Sequence, residues 1–151
     1  MKMSFLCVRH RRWLSSDPVA ALYTWLQCYQ QGLKLEQQHR DELAIRQAGC
    51  AMETAELILN VRPGPDSDDI VRFTHSTLLL GRLLRRQGAH GNASEAAHHA
   101  IACLEHLLAC GIQEQCVRHA CEQLAPMTAP AVSTSAVRLR PNCGRGQQRL
   151  H

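Results

Sequence analysis

The chain has 151 residues, of which 45 % are hydrophobic but only 4 % aromatic, and it carries a net charge of +4. A core drawn chiefly from Leu, Ile, Val and Ala suits helices and argues against a β-sandwich, whose strands favour β-branched and aromatic side chains. No apolar run approaches the ~18 residues of a membrane span, and the length fits one domain with a substantial core.

Residues 1–16 read as a basic N-terminal segment, with Lys2, Arg9, Arg11 and Arg12 and no acid before Asp17. Its apolar stretch, Met3 to Val8, is shorter than the ~7–15-residue core of a secretory signal. Export is therefore not expected. A cytoplasmic setting would keep the eight cysteines reduced, so no disulfide framework is read from them. The acid-poor, Arg-containing start also fits a transit peptide, which leaves an organelle as the lesser alternative.

Asp17-Pro18 opens the first predicted helix, because the aspartate accepts orphan amide bonds and the proline lacks the amide that would be unpaired there. Leu22, Trp25, Leu26, Tyr29 and Leu33 then recur at helical spacing to about Gln38. A second helix, opened by Asp41, carries Ala44, Ala48, Ala51, Ala55 and Ile58 on one stripe. Two prolines and a glycine break it between Asn60 and Asp69.

Asp68 or Asp69 is expected to cap a third helix with Ile70, Phe73, Thr77, Leu80, Gly81 and Leu84, ended by Gly88. The acidic run Asp66, Asp68, Asp69 lacks the bidentate glutamate of a cation loop and reads as capping residues. Asn92 with Glu95 looks like a capping box for a fourth helix bearing Ala97, Ile101, Leu104 and Leu108, stopped at Gly111. A fifth, over about 113–125, turns Cys116, Ala120 and Leu124 inward and is cut by Pro126. The Ser/Thr/Pro/Gly/Arg-rich tail 126–151 is expected to be disordered. The organisation read from the sequence is thus a basic segment 1–16, a helical domain 17–125 and an Arg-rich tail.

Charge is segregated along this plan. Arg138, Arg140, Arg145 and Arg149 stand in a tail without acids, and the two ends together hold eight of the 17 cations. The body keeps nine cations against 13 carboxylates, so it is acidic between basic ends. Such asymmetry fits a nucleic-acid or surface contact, or ends that fold back on the body. The tails lack interleaved aromatics, which makes nucleic acid the lesser reading.

Small residues echo between the halves. Gly32 is followed by Ala44, Ala48 and Ala51, and Gly81, after a slightly longer gap, by Ala96, Ala100 and Cys103. Together with Leu80, Leu84 and Gly88, this pattern resembles tetratricopeptide-like helical hairpin repeats over about residues 20–110. It departs from them in the aromatics replaced by Ala48 and Ala100 and in a period stretched beyond ~34 residues. The resemblance implies an all-α fold of stacked antiparallel helical hairpins, about five helices in all, arranged as an α-α superhelix or a small bundle. It also implies a groove lined by the first helix of each hairpin. Tyr29, Leu33, Leu26 and Glu36 would face it from the first, and His75, Leu78, Arg82 and Arg85 from the second. Two guanidiniums beside a leucine would suit an acidic peptide or a free carboxylate.

His99, Cys103, His106 and Cys110 form a second pattern, one helical stripe ~16 Å long, too extended for one metal ion. An i, i+4 pair such as His106 and Cys110 would need two further ligands, for which Cys116 and His119 are the nearest candidates. Without a Cys-x-x-Cys knuckle, no metal and no cofactor are expected. No phosphate loop, Gly-x-Ser-x-Gly elbow or His-Glu-x-x-His helix occurs, so no enzymatic activity is expected. The reading is a non-catalytic protein–protein interaction module, whether adaptor, chaperone-like or regulatory, that holds a peptide or helix of a partner protein and can self-associate. The alternative is a metal-stabilised or nucleic-acid-associated regulator using the Cys/His stripe or the Arg-rich ends.

Overall fold

A computed structural model of the chain describes residues 3–130, which form six α-helices and no strand. These are α1 (Val8–Ser16), α2 (Pro18–Gln37), α3 (Asp41–Val61), α4 (Ser67–Arg86), α5 (His90–Ala109) and α6 (Glu114–Thr128). No helix is long and apolar enough to cross a membrane.

The starts of the helices follow local chemistry. Asp17 accepts the Ala20 amide at 3.0 Å and Pro18 supplies the first helical residue of α2. Asp66 plays the same part 49 residues later, accepting the Asp69 amide at 2.9 Å while the Asp69 carboxylate accepts the Asp66 amide at 3.1 Å. The cap of α4 is therefore Asp66, with Asp69 as the reciprocal member of a capping box and Asp68 exposed. The fully buried Asp69 also pairs with Arg72 at 3.0 Å and Arg62 at 3.3 Å.

The Asn92/Glu95 pair is not a capping box. The fourth predicted helix, α5, begins at His90 without a side-chain cap, as α3 begins at Asp41. Each follows a tight turn with one residue in the left-handed region, His39 at φ 56° and Gly88 at φ 76°. In both turns the next amide reaches back five residues, Arg40 to the Leu35 carbonyl and Ala89 to that of Leu84. The two hairpins thus superpose at one constant offset, which pairs Gly32 with Gly81 and Ala44, Ala48 and Ala51 with Ala93, Ala97 and Ala100, all of them buried. The expected partners Ala96 and Cys103 lie three residues off this register. Helices of 20 and 21 residues already exceed a ~34-residue unit, so the long period resides in the helices as well as in the proline loop.

Consecutive helices pack as hairpins from α2 to α6. α4 lies at the centre, touching α2, α3, α5 and α6, while the backbones of α3 and α5 stay apart. Ile70, Phe73, Leu79, Leu80 and Leu83 of α4 are fully buried. Its buried hydroxyls Thr74, Ser76 and Thr77 donate to the carbonyls of Ile70, Arg72 and Phe73, which removes the cost of burying them.

The sixth helix is α1, inside the segment 1–16 that reads as a basic extension. Only Leu14 of it is buried, packed against Ala21 and Ile58, so it shows almost no apolar period. At the other end α6 continues through Pro126. The proline falls in the last turn, where it removes one amide bond, and Met127 beyond it is buried with its sulfur on Gly81. The predicted tail 126–151 otherwise lies outside the described residues from position 131 onward.

Candidate functional site

The face expected to bind a partner is assembled between α2 and α4, but its cations are already occupied. Arg82 grips Glu36 through both ends of its fork, Nε to Oε2 at 2.7 Å and Nη2 to Oε1 at 2.8 Å. That pairing holds the Glu36 carboxyl below its ordinary range. Arg86 donates to Asp41 at 2.9 Å, and Arg85 to the Pro126 carbonyl at 2.9 Å. Tyr29 stacks on Trp25 with ring centroids 5.2 Å apart, and Leu33 and Leu78 pack on the core. His75 and Leu26 are exposed. The carboxylate that the spacing of Arg82 invites is supplied within the chain by Glu36.

A groove opens on the opposite side, where α3 and α5 diverge over the central α4. The non-helical segment Met3–Leu6, bent at Leu6, lies in it. The Phe5 ring sits directly on Gly49, in the space a Cβ there would fill. The Glu53 carboxylate accepts the amide of Phe5 at 2.9 Å through one oxygen and that of Leu6 at 2.7 Å through the other. Arg11 adds a 3.2 Å bond to the same carboxylate. Charge-assisted bonds of this kind are about twice as strong as neutral ones. The two amide bonds read main chain, while the Phe5 ring on Gly49 and the Arg11 bond read side chains.

Beside the segment remains a cavity of about 540 Å³. Met52 of α3, Leu80 of α4 and Ala96 of α5 give it apolar walls, and Glu53, Glu56 and Glu95 make it acidic. In the sequence Met3 to Val8 reads only as an inadequate export signal, and Gly49 stands outside the small-residue pattern. The available signal was that glycine, which costs helix stability in the middle of an Ala-rich helix unless something approaches it closely.

The Cys/His stripe divides. His106 and Cys110 are exposed, and Cys116 turns to the Ser67 carbonyl at the start of α4. His99 and Cys103 instead meet Glu56 of α3. His99 Nε2 lies 2.8 Å from Glu56 Oε1, and the Cys103 sulfur lies 3.6 Å from that oxygen and 3.7 Å from His99 Nε2. Burial, reinforced by the Glu56 charge, pushes the Cys103 thiol up to about 12. Elsewhere the Cys50 thiol of α3 donates to the Phe5 carbonyl at 3.7 Å, and the pKa of the exposed Cys7 thiol, capping α1, is lowered by its bonds to His10. The seven described cysteines are all free.

Comparison with protein-family models, with curated proteins and with solved structures finds no match to this chain. The functional reading therefore rests on the site.

Proposed function

We propose that the protein is a non-catalytic interaction module whose α3/α5 groove receives a short non-helical segment of a partner protein in the place now held by Met3–Leu6. The observation that carries this reading is the double acceptance of the Phe5 and Leu6 amides by Glu53 beside the bare Cα of Gly49. A carboxylate fixed on a helix and aimed at two successive amides recognises backbone bent so that both face one side, and a glycine beneath it makes room for one large ring. The acidic walls select for a basic flank, the role Arg11 plays within the chain. The fitting partner is a short non-helical segment with an aromatic anchor followed by Arg or Lys. The N-terminal segment then acts as a built-in competitor, whose release governs access.

The test is binding of a fluorescently labelled peptide with the sequence of residues 1–14, followed by anisotropy. Replacing Phe5 with Ser in the full chain should free the groove and raise peptide affinity at least ~10-fold over the parent, since removing an intramolecular competitor restores the binding-competent population. Adding Glu53→Ala to the Phe5→Ser chain should abolish that gain. Equal, weak binding to all three chains would refute the groove as a peptide site.

A further inference from the structure

Across the gap between α3 and α5, whose backbones do not approach one another closely, Glu56 of α3 meets His99 and Cys103 of α5. They are the one group of three metal-type donors found within 4.8 Å of one another among the described residues. We infer that Glu56, His99 and Cys103 form a site for a single zinc-class divalent cation that clasps α3 to α5.

The donor spacing fits that ion. Bonds of about 2.0–2.3 Å to oxygen, nitrogen and sulfur in a tetrahedron set donor atoms about 3.3–3.6 Å apart. The sulfur already stands 3.6 and 3.7 Å from its two neighbours. Only the His99–Glu56 separation, 2.8 Å, must open, by roughly half an ångström, as an ion replaces the hydrogen bond between them. One imidazole, one carboxylate and one thiol are also the donor mixture that zinc accepts and that calcium or magnesium does not. His99 and Cys103 are one turn apart on α5, so the helix itself sets their spacing, and Glu56 comes from the neighbouring hairpin. Cys103 binds as thiolate and its proton passes to solvent.

His99 and Glu56 also line the cavity, which leaves space beside two of the three donors for a further ligand. Three protein ligands with one open position is the arrangement of zinc sites that keep an exchangeable ligand. This inference stands apart from the peptide reading, because it requires neither displacement of Met3–Leu6 nor any partner.

The experiment uses the full chain, reduced and stripped of metal. Zinc is titrated in competition with a chromophoric chelator, and cobalt(II) serves as a spectroscopic probe. The expected result is one zinc per chain, with affinity lowered at least ~100-fold by Cys103→Ser or His99→Gln and at least ~10-fold by Glu56→Gln, while helical circular dichroism is unchanged. Cobalt should show a thiolate charge-transfer band that Cys103→Ser removes and that Cys28→Ser and Cys110→Ser leave intact. Should Cys103→Ser fail to fold, His99→Gln decides alone, because His99 is 53 % exposed and is not needed for packing. Undiminished zinc binding in His99→Gln, no zinc bound at stoichiometric concentration, or a cobalt band that follows Cys28 would each overturn the assignment.

Discussion

The ring of Phe5 rests on the α-carbon of Gly49, a position in the middle of α3 where any side chain would collide with it. A glycine there costs the helix about 1 kcal/mol relative to alanine, and what it permits is contact with a segment more than 40 residues distant in sequence. Gly49→Ala should therefore separate two quantities. Global stability in chemical denaturation should change by no more than about 1 kcal/mol, because the gain in helix propensity opposes the loss of the Phe5 packing and the Glu53 bonds. Amide protection at Phe5 and Leu6 should fall, as read by hydrogen exchange. Retained protection at both amides would mean that the glycine is not what seats the segment.

The Glu36–Arg82 pair gives a pH dependence with a definite sign. Its folded-state carboxyl is held below the ordinary value by Arg82, so the stabilisation is complete above the ordinary carboxylate range and is lost as pH falls through the folded value. Between about pH 5 and pH 3 the parent should lose stability relative to Glu36→Gln. The difference should be about 1 kcal/mol or less, because Arg82 is half exposed and water screens the pair. Denaturation midpoints of the two chains at several pH values provide the check. Parallel profiles would show that the fork contributes nothing.

Gly81 and Met127 form a second close approach, between α4 and the end of α6. Gly81→Leu should cost about 1–3 kcal/mol by overpacking. Combining it with Met127→Ala should recover part of that loss, although Met127→Ala alone destabilises by vacating a buried site. Strict additivity in this cycle would place the cost of Gly81→Leu at some other contact.

Much of the helical plan was legible in the sequence because it is written in local chemistry. Asp17-Pro18, the alanine stripe of α3 and the proline break before α4 each act within one or two turns. The errors have equally local causes. Asn92 and Glu95 had the residue types of a capping box, yet Gly88 had already set the turn and started α5 three residues earlier, with Ala89 at the cap position. Pro126 looked like a stop, but a proline in the last turn forfeits only one bond, and the burial of Met127 repays it.

The candidate sites were less legible, since both depend on residues brought together across hairpins. Glu56 stands 43 residues from His99, so the metal-type cluster is invisible in the Cys/His spacing that argued against a metal. Glu53 reads as one more surface acid of an acidic body until the chain lays two amides against it. Arg82 and Arg85 carried the right chemistry for a carboxylate, and tertiary packing supplied Glu36 to one and the Pro126 carbonyl to the other.

The most direct test of the groove is a shift map of the isotope-labelled full chain titrated with the peptide of residues 1–14. Binding in the α3/α5 groove predicts shifts at the amides of Gly49, Glu53, Glu56, Ala96 and His99, together with release of the chain's own Phe5 and Leu6. Shifts centred on Tyr29, Arg82 and Arg85, with Phe5 and Leu6 undisturbed, would contradict it and return the binding face to α2 and α4.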